Sequence, residues 1–298
     1  MKILLTGATG FIGSQLAHRL LAEGYELAIL VRPDSRLDVL QTVLSQIQVH
    51  VYDGSYASLL RAMEAAKPSL VCHLASLFLA QHRPEDVARL IESNLNFPTQ
   101  LLEAMNHVGV KHFINTGTSW QHFQNESYNP VNLYAATKQA FEAILEYYVQ
   151  ACGIKAITLK LFDTYGPNDP RPKLFHLLNK AATATEPMDM SAGEQFLDLV
   201  HIEDVTEAYV IAAQRMLDGK VSQHERYAIS AGKLLPLKEL VHLYSEVTKQ
   251  DITVNWGARP YRDREVMVPW NKGRSLPNWE PKITLFDGIQ KSRQQDMA

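Results

Sequence analysis

From Met1 to about Leu161, short runs of β-prone apolar residues alternate with longer segments in which apolar positions recur every three or four residues. The pattern predicts strands at Lys2–Thr6, Glu26–Val31, Ile47–Val51, Ser69–Leu74, His112–Thr116 and Lys155–Leu161. Between them it predicts helices over Phe11–Ala22, Ser55–Ala66, Glu85–His107 and Val131–Ala151. Most of the strands are apolar at successive positions, so both faces must be covered, and a parallel sheet with helices on each side follows. The fold class expected is α/β, a doubly wound Rossmann-like parallel sheet with a smaller C-terminal α/β substrate lobe.

Past residue 161 the alternation weakens. The run Gly166-Pro167-Asn168-Asp169-Pro170-Arg171-Pro172 breaks the chain into loop. Later helical patterns cover Leu174–Ala182, Glu203–Met216 and Leu237–Thr248, and strand-like patterns cover Gln195–Val200, Arg226–Ile229 and Ile252–Asn255. Residues 1–165 are therefore expected to form a dinucleotide-binding domain and 166–298 a substrate-binding lobe over the sheet's carboxyl edge, with the chain free to cross back between them.

Composition narrows the function classes. A chain of 298 residues with net charge −3 and no long basic block offers no electrostatic footprint for nucleic acid. No apolar stretch approaches the roughly 20 residues that span a bilayer, and the N-terminus has no secretory pattern, so a soluble cytoplasmic protein is expected. Cys72 and Cys152 lie among apolar neighbours without metal-ligand spacing, and are expected to be reduced thiols. No metal is expected.

Chemistry enters at the end of the first predicted strand. Gly7, Gly10 and Gly13, in Thr6-Gly7-Ala8-Thr9-Gly10-Phe11-Ile12-Gly13, suit in turn a tight turn, close backbone approach to a pyrophosphate, and packing of helix on strand. The diphosphate would rest on free N–H groups around Thr9, Gly10, Phe11 and Ile12, at the positive end of the helix. The residue ending the second strand selects the dinucleotide, because a carboxylate there suits a ribose hydroxyl and a cation suits a 2′-phosphate. Here Arg32 stands at that point and Arg36 follows, while Asp34 comes after Pro33. NADP(H) is favoured, with NAD(H) possible and solvated surface cations the plainer alternative. Asp53 is placed either to accept from the adenine amino group or to cap the helix near Ser55. His73 reads as a satisfied core histidine, while Leu74, Ala75 and Ser76 are positioned to line the cofactor.

Tyr134 and Lys138 lie four positions apart in a segment of strong helix formers, which puts both on one helical face. An ammonium there is expected to lower the phenol's pKa, so that the phenol exchanges a proton with a carbonyl oxygen as hydride moves at carbon. The fifth strand ends in hydroxyls, of which Thr118 is the candidate for a second hydrogen bond to that oxygen, with Ser119 and Thr116 behind it.

Together these residues resemble the extended short-chain dehydrogenase/reductase family, also called the NAD-dependent epimerase/dehydratase family. The resemblance spans nearly the whole chain, from Thr6–Gly13 through His73-Leu74-Ala75, Asn94, Thr118, Tyr134 with Lys138 and Tyr165-Gly166-Pro167 to His201-Ile202-Glu203-Asp204-Val205. It implies that Thr118, Tyr134 and Lys138 are the catalytic trio and that Lys138 also bonds the nicotinamide ribose. Residues Phe162 to Tyr165, Asp163 included, would line cofactor and substrate.

Within the family, the runs Asn115–His122 and Asn129–Lys138 resemble the CDP-abequose and CDP-paratose synthases. Those enzymes reduce the 4-keto group of a nucleotide-linked deoxyhexose for lipopolysaccharide O-antigen. Family dehydratases carry Asp-Glu after the threonine, whereas Ser119-Trp120 stand here, which argues against dehydration. The 4-epimerases recycle a bound NAD, which fits Arg32 less well than consumed NADPH does. Reduction therefore leads, with an NAD-dependent 4-epimerase, a non-sugar ketone reductase and a non-catalytic NADP-sensing regulator as alternatives.

The nucleotide diphosphate would need cations such as Arg171, Lys173, Arg259, Arg262 or Arg264, each otherwise a surface charge. Trp120 and His122 either contact the sugar or pack. Two helices carry apolar residues beyond a single core-facing stripe, Leu95, Leu101, Leu145 and Tyr148, and the resemblance implies that the matching helices form a dimeric four-helix bundle, so a homodimer is expected.

Overall fold

The computed structural model describes residues 1–184 and 186–296; Thr185 and residues 297–298 of the expected lobe lie outside them. The first half of the chain runs β1 (Lys2–Thr6), α1 (Phe11–Ala22), β2 (Glu26–Val31), β3 (Ile47–Val51), α2 (Tyr56–Ala66), β4 (Leu70–His73), α3 (Val87–Ile91), α4 (Phe97–Val108), β5 (His112–Thr118), α5 (Leu133–Cys152) and β6 (Lys155–Leu161). The second half continues with β7 (Asp163–Tyr165), α6 (Leu174–Ala181), β8 (Met188–Met190), β9 (Phe196–His201), α7 (Ile202–Leu217), β10 (His224–Ile229), β11 (Leu234–Pro236), α8 (Leu237–Thr248), β12 (Val254–Trp256) and α9 (Leu285–Asp296).

Seven strands form one parallel sheet in the order β10-β6-β5-β4-β1-β2-β3. Successive residues of β1 serve opposite faces. Ile3 and Leu5 pack with Leu16, Leu20, Val205 and Tyr209 of α1 and α7, while Leu4 packs with Leu59, Met63, Leu101 and Phe141 of α2, α4 and α5. Each such side chain, fully withdrawn from water, contributes about 1.5–3 kcal/mol. β10 comes from beyond residue 166 and pairs with β6 from His224↔Ala156 to Ile229↔Leu161, so the chain returns to the main sheet after a first excursion. The remaining strands make a three-stranded sheet, β11-β9-β7, and the pair β12-β8. These small sheets, with α6, α8 and α9, enclose a separate apolar cluster of Leu178, Leu237, Leu240, Val241, Tyr244 and Ile289.

The helix expected over Glu85–His107 is not uniform. It consists of a 3-10 turn at Pro84–Asp86, α3, a π-helical turn at Glu92–Asn96, and α4 with Pro98 in its first turn. Proline cannot donate the backbone hydrogen bond a continuous α-helix needs at that point, and the wider π turn takes up the mismatch. A second correction concerns the surplus apolar residues: Leu101 and Leu145 are fully buried and Tyr148 nearly so in this chain's own core, while Leu95 packs against it. Sequence periodicity misjudged them because α4 and α5 are packed on more than one side.

Candidate active site

Strand order reverses at β1, which has β2 and β3 on one side and β4 on the other, and the segments leaving the carboxyl ends of the strands around that point carry most of the candidate residues. Gly7 turns the chain there with φ +75°, and a Cβ on it would lie 2.6 Å from the Ala75 nitrogen. Ala75 N–H donates to Thr6 Oγ1 at 3.2 Å, tying the ends of β1 and β4 together. Gly13 faces inward, where a Cβ would meet the Gly7 carbonyl oxygen at 2.0 Å. Gly10 differs: it is exposed and a Cβ would come no closer than 3.4 Å to protein, so the fold itself does not require glycine. It is the N-cap of α1 without a side-chain cap, and the first turn carries no acidic residue. The Gly10 N–H is taken by the Gly7 carbonyl at 3.0 Å, but the first turn of α1 at Phe11 and Ile12 has no side-chain cap, and with space where a Gly10 side chain would stand the loop from Thr9 to Ile12 fits a dinucleotide diphosphate.

Arg32 and Arg36 sit just beyond β2 in solvent, 76 % and 89 % exposed along their side chains. Arg32 Nε is 3.5 Å from Asp34, and Arg36 is bonded to Asp38. Surface pairs of this kind are worth under about 1 kcal/mol, so both guanidiniums are open to exchange for a phosphate. The carboxylate of Asp53 accepts from both the N–H and the hydroxyl of Ser55, at 2.9 and 2.6 Å, which holds it down to about 2. Ser55 itself caps α2 by accepting from Ser58 N–H, so Asp53 supports the cap and does not form it.

His73 is buried, shares a 2.8 Å hydrogen bond with Thr6 Oγ1 and packs among Phe97, Phe113 and Phe141. Burial, aided by Lys138, pushes its pKa well below the usual imidazole range. Asn94, in the π turn, is a buried clamp. Its Oδ1 accepts from Leu77 N–H and the Ser76 hydroxyl, and its Nδ2 donates to the Leu77 carbonyl and to Thr137 of α5. The loop carrying Ser76 is thereby fixed against the helix carrying Tyr134 and Lys138.

Asn132 caps α5, accepting from Ala135 N–H at 2.9 Å, and so starts the helix that presents Tyr134 and Lys138. Lys138 Nζ is 5.9 Å from the centre of the Tyr134 ring. The expected acidification of the phenol is not what the geometry gives. Desolvation pushes Tyr134 up to about 12, opposed by a hydrogen bond with Ser76 and by the charge of Arg171. Burial lowers Lys138 to about 8, with Glu142 opposing. The apolar surroundings cost the phenolate more than nearby cations return, so the phenol is held as an acid.

Thr118 is buried at the end of β5, and its Oγ1 accepts from Trp120 N–H at 3.3 Å. Thr116 is committed elsewhere, to the His73 carbonyl and the Tyr209 hydroxyl. Ser119 and Trp120 follow in a 3-10 turn, and Trp120 packs against Phe78, which also meets the Tyr134 ring edge-on at 5.0 Å. Lys173 stands over Phe78 at 5.4 Å and 3.9 Å from Asp163. Phe78 escaped the sequence reading; the available signal was an aromatic residue in the loop leaving β4, where ligands collect in this architecture.

Arg171 belongs with this cluster, whereas the candidates named after it lie apart from it. Arg171 forks onto Asp169, donates to the Thr164 carbonyl and covers the Phe11 ring at 4.5 Å, beside the glycine loop. Phe162 is core, with its ring parallel to that of Trp270. His122 is buried, stacked 3.9 Å from Trp270 and bonded to Lys160 and the Glu126 carbonyl, which leaves no ring nitrogen for a sugar. Arg262 pairs with Glu265 at the surface, and Arg264 covers Phe123. Among the described residues no cluster of three or more His, Cys, Asp or Glu is placed to hold a metal, and no helix is long and apolar enough to cross a membrane.

The model of the NAD dependent epimerase/dehydratase family matches residues 3–229. CDP-abequose synthase of Salmonella muenchen is 26 % identical over 293 residues, covering 97 % of this chain and 96 % of that one. UDP-glucose 4-epimerase of Lactobacillus helveticus is 23 % identical over 321 residues, covering 97 % and 94 %. Among solved structures, UDP-glucose-4-epimerase from Stenotrophomonas maltophila, with bound NAD and formylated UDP-arabinopyranose, superposes with a TM-score of 0.88 at 18 % identity, covering 100 % and 98 %.

Proposed function

The chain belongs to the NAD dependent epimerase/dehydratase family, and on that premise we propose that it is an NADPH-dependent reductase of the 4-keto group of a nucleotide-linked deoxyhexose. The observation that carries reduction over epimerisation is the end of β2, where Arg32 stands in the place of the carboxylate that suits NAD and Arg36 follows it, both guanidiniums exposed. The likeness to CDP-abequose synthase over 97 % of the chain supports a CDP-linked substrate of the kind used for lipopolysaccharide sugars.

A bound nicotinamide supplies the hydride. The chain's own residues then handle the oxygen: Tyr134, kept protonated by desolvation, gives it a proton while Thr118 donates a second hydrogen bond. The Lys138 ammonium, 5.9 Å from the Tyr134 ring, supports the proton transfer and would hold the cofactor ribose. Ser119 and Trp120 bring no carboxyl beside Thr118, which leaves elimination of water without its acid and base. Thr9 to Ile12 would hold the diphosphate, with Arg171 beside them, and Leu74, Ala75 and Ser76 would line the dinucleotide. Phe78, Trp120, Lys173 and Asp163 would line the sugar side, and Arg262, at the surface beside Glu265, is the candidate for the nucleotide in the C-terminal segment.

The deciding experiment is a panel of CDP-, dTDP-, UDP- and GDP-linked 4-keto hexoses assayed with NADPH, the product configuration being read by NMR. Stoichiometric NADPH consumption is expected. Interconversion of UDP-glucose and UDP-galactose without net cofactor use would install the 4-epimerase reading, which the similarity to UDP-glucose 4-epimerase over 97 % of the chain favours. Binding of NADP(H) with no turnover on any substrate would leave a sensing role.

Cofactor choice gives a separate expectation. Replacing Arg32 and Arg36 together with alanine should weaken NADPH binding by about tenfold or more and leave NADH nearly unaffected, because each guanidinium offers charge-assisted bonds only to the 2′-phosphate. Fluorescence titration of both cofactors measures this, and equal losses for the two would remove the basis for NADPH.

We also place the enzyme in a homodimer through α4 and α5, in a cytoplasmic setting that fits its unbridged thiols, Cys72 and Cys152. Tyr147 on α5 and Val87 and Ile91 on α3 keep exposed apolar surface on this side of the sheet. Light scattering at micromolar concentration should give twice the chain mass, and a monomer mass would dismiss the dimer.

A further inference from the structure

Beside the proposed site lies a buried charged cluster that the chemistry above does not use. Glu142, one helical turn beyond Lys138 on α5, is 2 % exposed, Lys160 of β6 is 5 % exposed, and Gln121 is fully buried. Gln121 Nε2 donates to Glu142 Oε1 and to Gln139 Oε1, each at 2.7 Å, while its Oε1 accepts the Thr118 N–H at 2.9 Å. Gly117 makes room for this amide, since a Cβ there would stand 3.0 Å from Gln121 Oε1. From the other side Lys160 Nζ approaches Glu142 Oε1 at 3.5 Å and Arg226 of β10 donates to Oε2 at 3.2 Å. Lys160 also donates to His122 Nε2 at 2.8 Å; the proton on that ring then sits on Nδ1, toward the Glu126 carbonyl.

Burying ions costs free energy that their mutual attraction often fails to return, and an apolar pair of similar volume would serve stability at least as well. The arrangement joins the two ends of the catalytic trio. We propose that Glu142 is a positioning residue of the active centre: through Gln121 it fixes the backbone at Thr118, and its carboxylate, ion-paired to Lys160 and Arg226 and one helical turn from Lys138 on α5, acts at longer range on the Lys138 ammonium. This rests on Thr118, Tyr134 and Lys138 being the catalytic trio.

The charges around both groups set the sign of the test. Lys138 faces Tyr134 and Glu142 on α5 and the neutral His73 of β4; desolvation lowers it to about 8 and Glu142 opposes that. Glu142 faces Lys160, Arg226, Gln121 and Gln139, with Glu146 and His224 beyond Arg226. Removing the Glu142 charge should make Lys138 lose its proton at lower pH. Removing the Lys160 charge leaves the carboxylate less neutralised, and Lys138 should hold its proton to higher pH.

The test compares Glu142→Gln and Lys160→Gln with the parent. In cofactor-free protein, acetylation of Lys138 by acetic anhydride is followed against pH by peptide mass spectrometry; in parallel, kcat/KM is measured against pH with NADPH and the 4-keto nucleotide sugar of the panel. Expected are a midpoint lowered by roughly one pH unit in Glu142→Gln and a raised midpoint in Lys160→Gln. Glu142→Gln should also lose kcat several-fold with little change in KM for NADPH. If a single variant does not fold, the double variant Glu142→Gln/Lys160→Gln, a neutral hydrogen-bonding pair, should show the lowered midpoint. Unmoved midpoints, or shifts of the same sign in both single variants, overturn the proposal. Turnover by Tyr134→Phe would defeat the catalytic trio and leave the labelling result standing, whereas a dead Tyr134→Phe with unmoved midpoints would defeat this inference alone.

Discussion

Tyr134→Phe is expected to lower kcat/KM by about a thousandfold or more with the fold unchanged, the upper part of the range for a lost general acid. The substitution keeps the ring, which meets Phe78 edge-on at 5.0 Å, and removes only the hydroxyl that Ser76 engages. Few changes isolate one proton so cleanly. With desolvation holding the phenol up to about 12, the parent presents it protonated across the working pH range, as a reductase requires. NADPH oxidation with the 4-keto substrate, alongside circular dichroism and NADPH titration, makes the measurement. Turnover within threefold of the parent would take the phenol out of the reaction.

The second large effect concerns the glycines. Gly13→Ala should cost at least about 3 kcal/mol of stability, because its methyl would sit 2.0 Å from the Gly7 carbonyl oxygen and 2.7 Å from its carbon, backbone atoms with no rotamer to move aside. Gly10→Ala should leave the melting temperature nearly unchanged, its nearest protein atom being 3.4 Å away, yet weaken NADPH binding by about tenfold or more as the methyl enters the diphosphate cradle. Thermal melts and cofactor titrations on both variants separate the roles. Undiminished NADPH affinity in Gly10→Ala would move the diphosphate off this loop.

Much of this was legible along the chain. All seven strands of the main sheet appear within two residues of their expected ends, because buried parallel strands write themselves as runs such as Ile3-Leu4-Leu5. The short strands β7, β8 and β11 were not foreseen, since three residues carry no periodicity and their pairing is set by distant partners such as Val200 opposite Thr164. Tyr134, Lys138 and Thr118 could be selected because spacing and strand position survive in one dimension. The electrostatics could not: the phenol's rise depends on how deeply the folded chain buries it, against the opposing Ser76 hydrogen bond and Arg171 charge, and the sequence does not record that. Lys160 left a trace, as the single cation inside the apolar run Ala156–Leu161, but its partners Glu142 and His122 come from other elements. His122 was weighed as a sugar contact for want of that information.

The return of β10 to the main sheet bears on how the protein is made. During synthesis β6 leaves the ribosome with one edge unpaired, and the segment that covers it follows only after β7, α6, β8, β9 and α7 have emerged. Until then the growing chain presents an open row of amide and carbonyl groups along Ala156–Leu161, the sort of edge that recruits other chains. A product truncated before His224 would keep that edge for good, and should accumulate as aggregate even though its dinucleotide loop is complete.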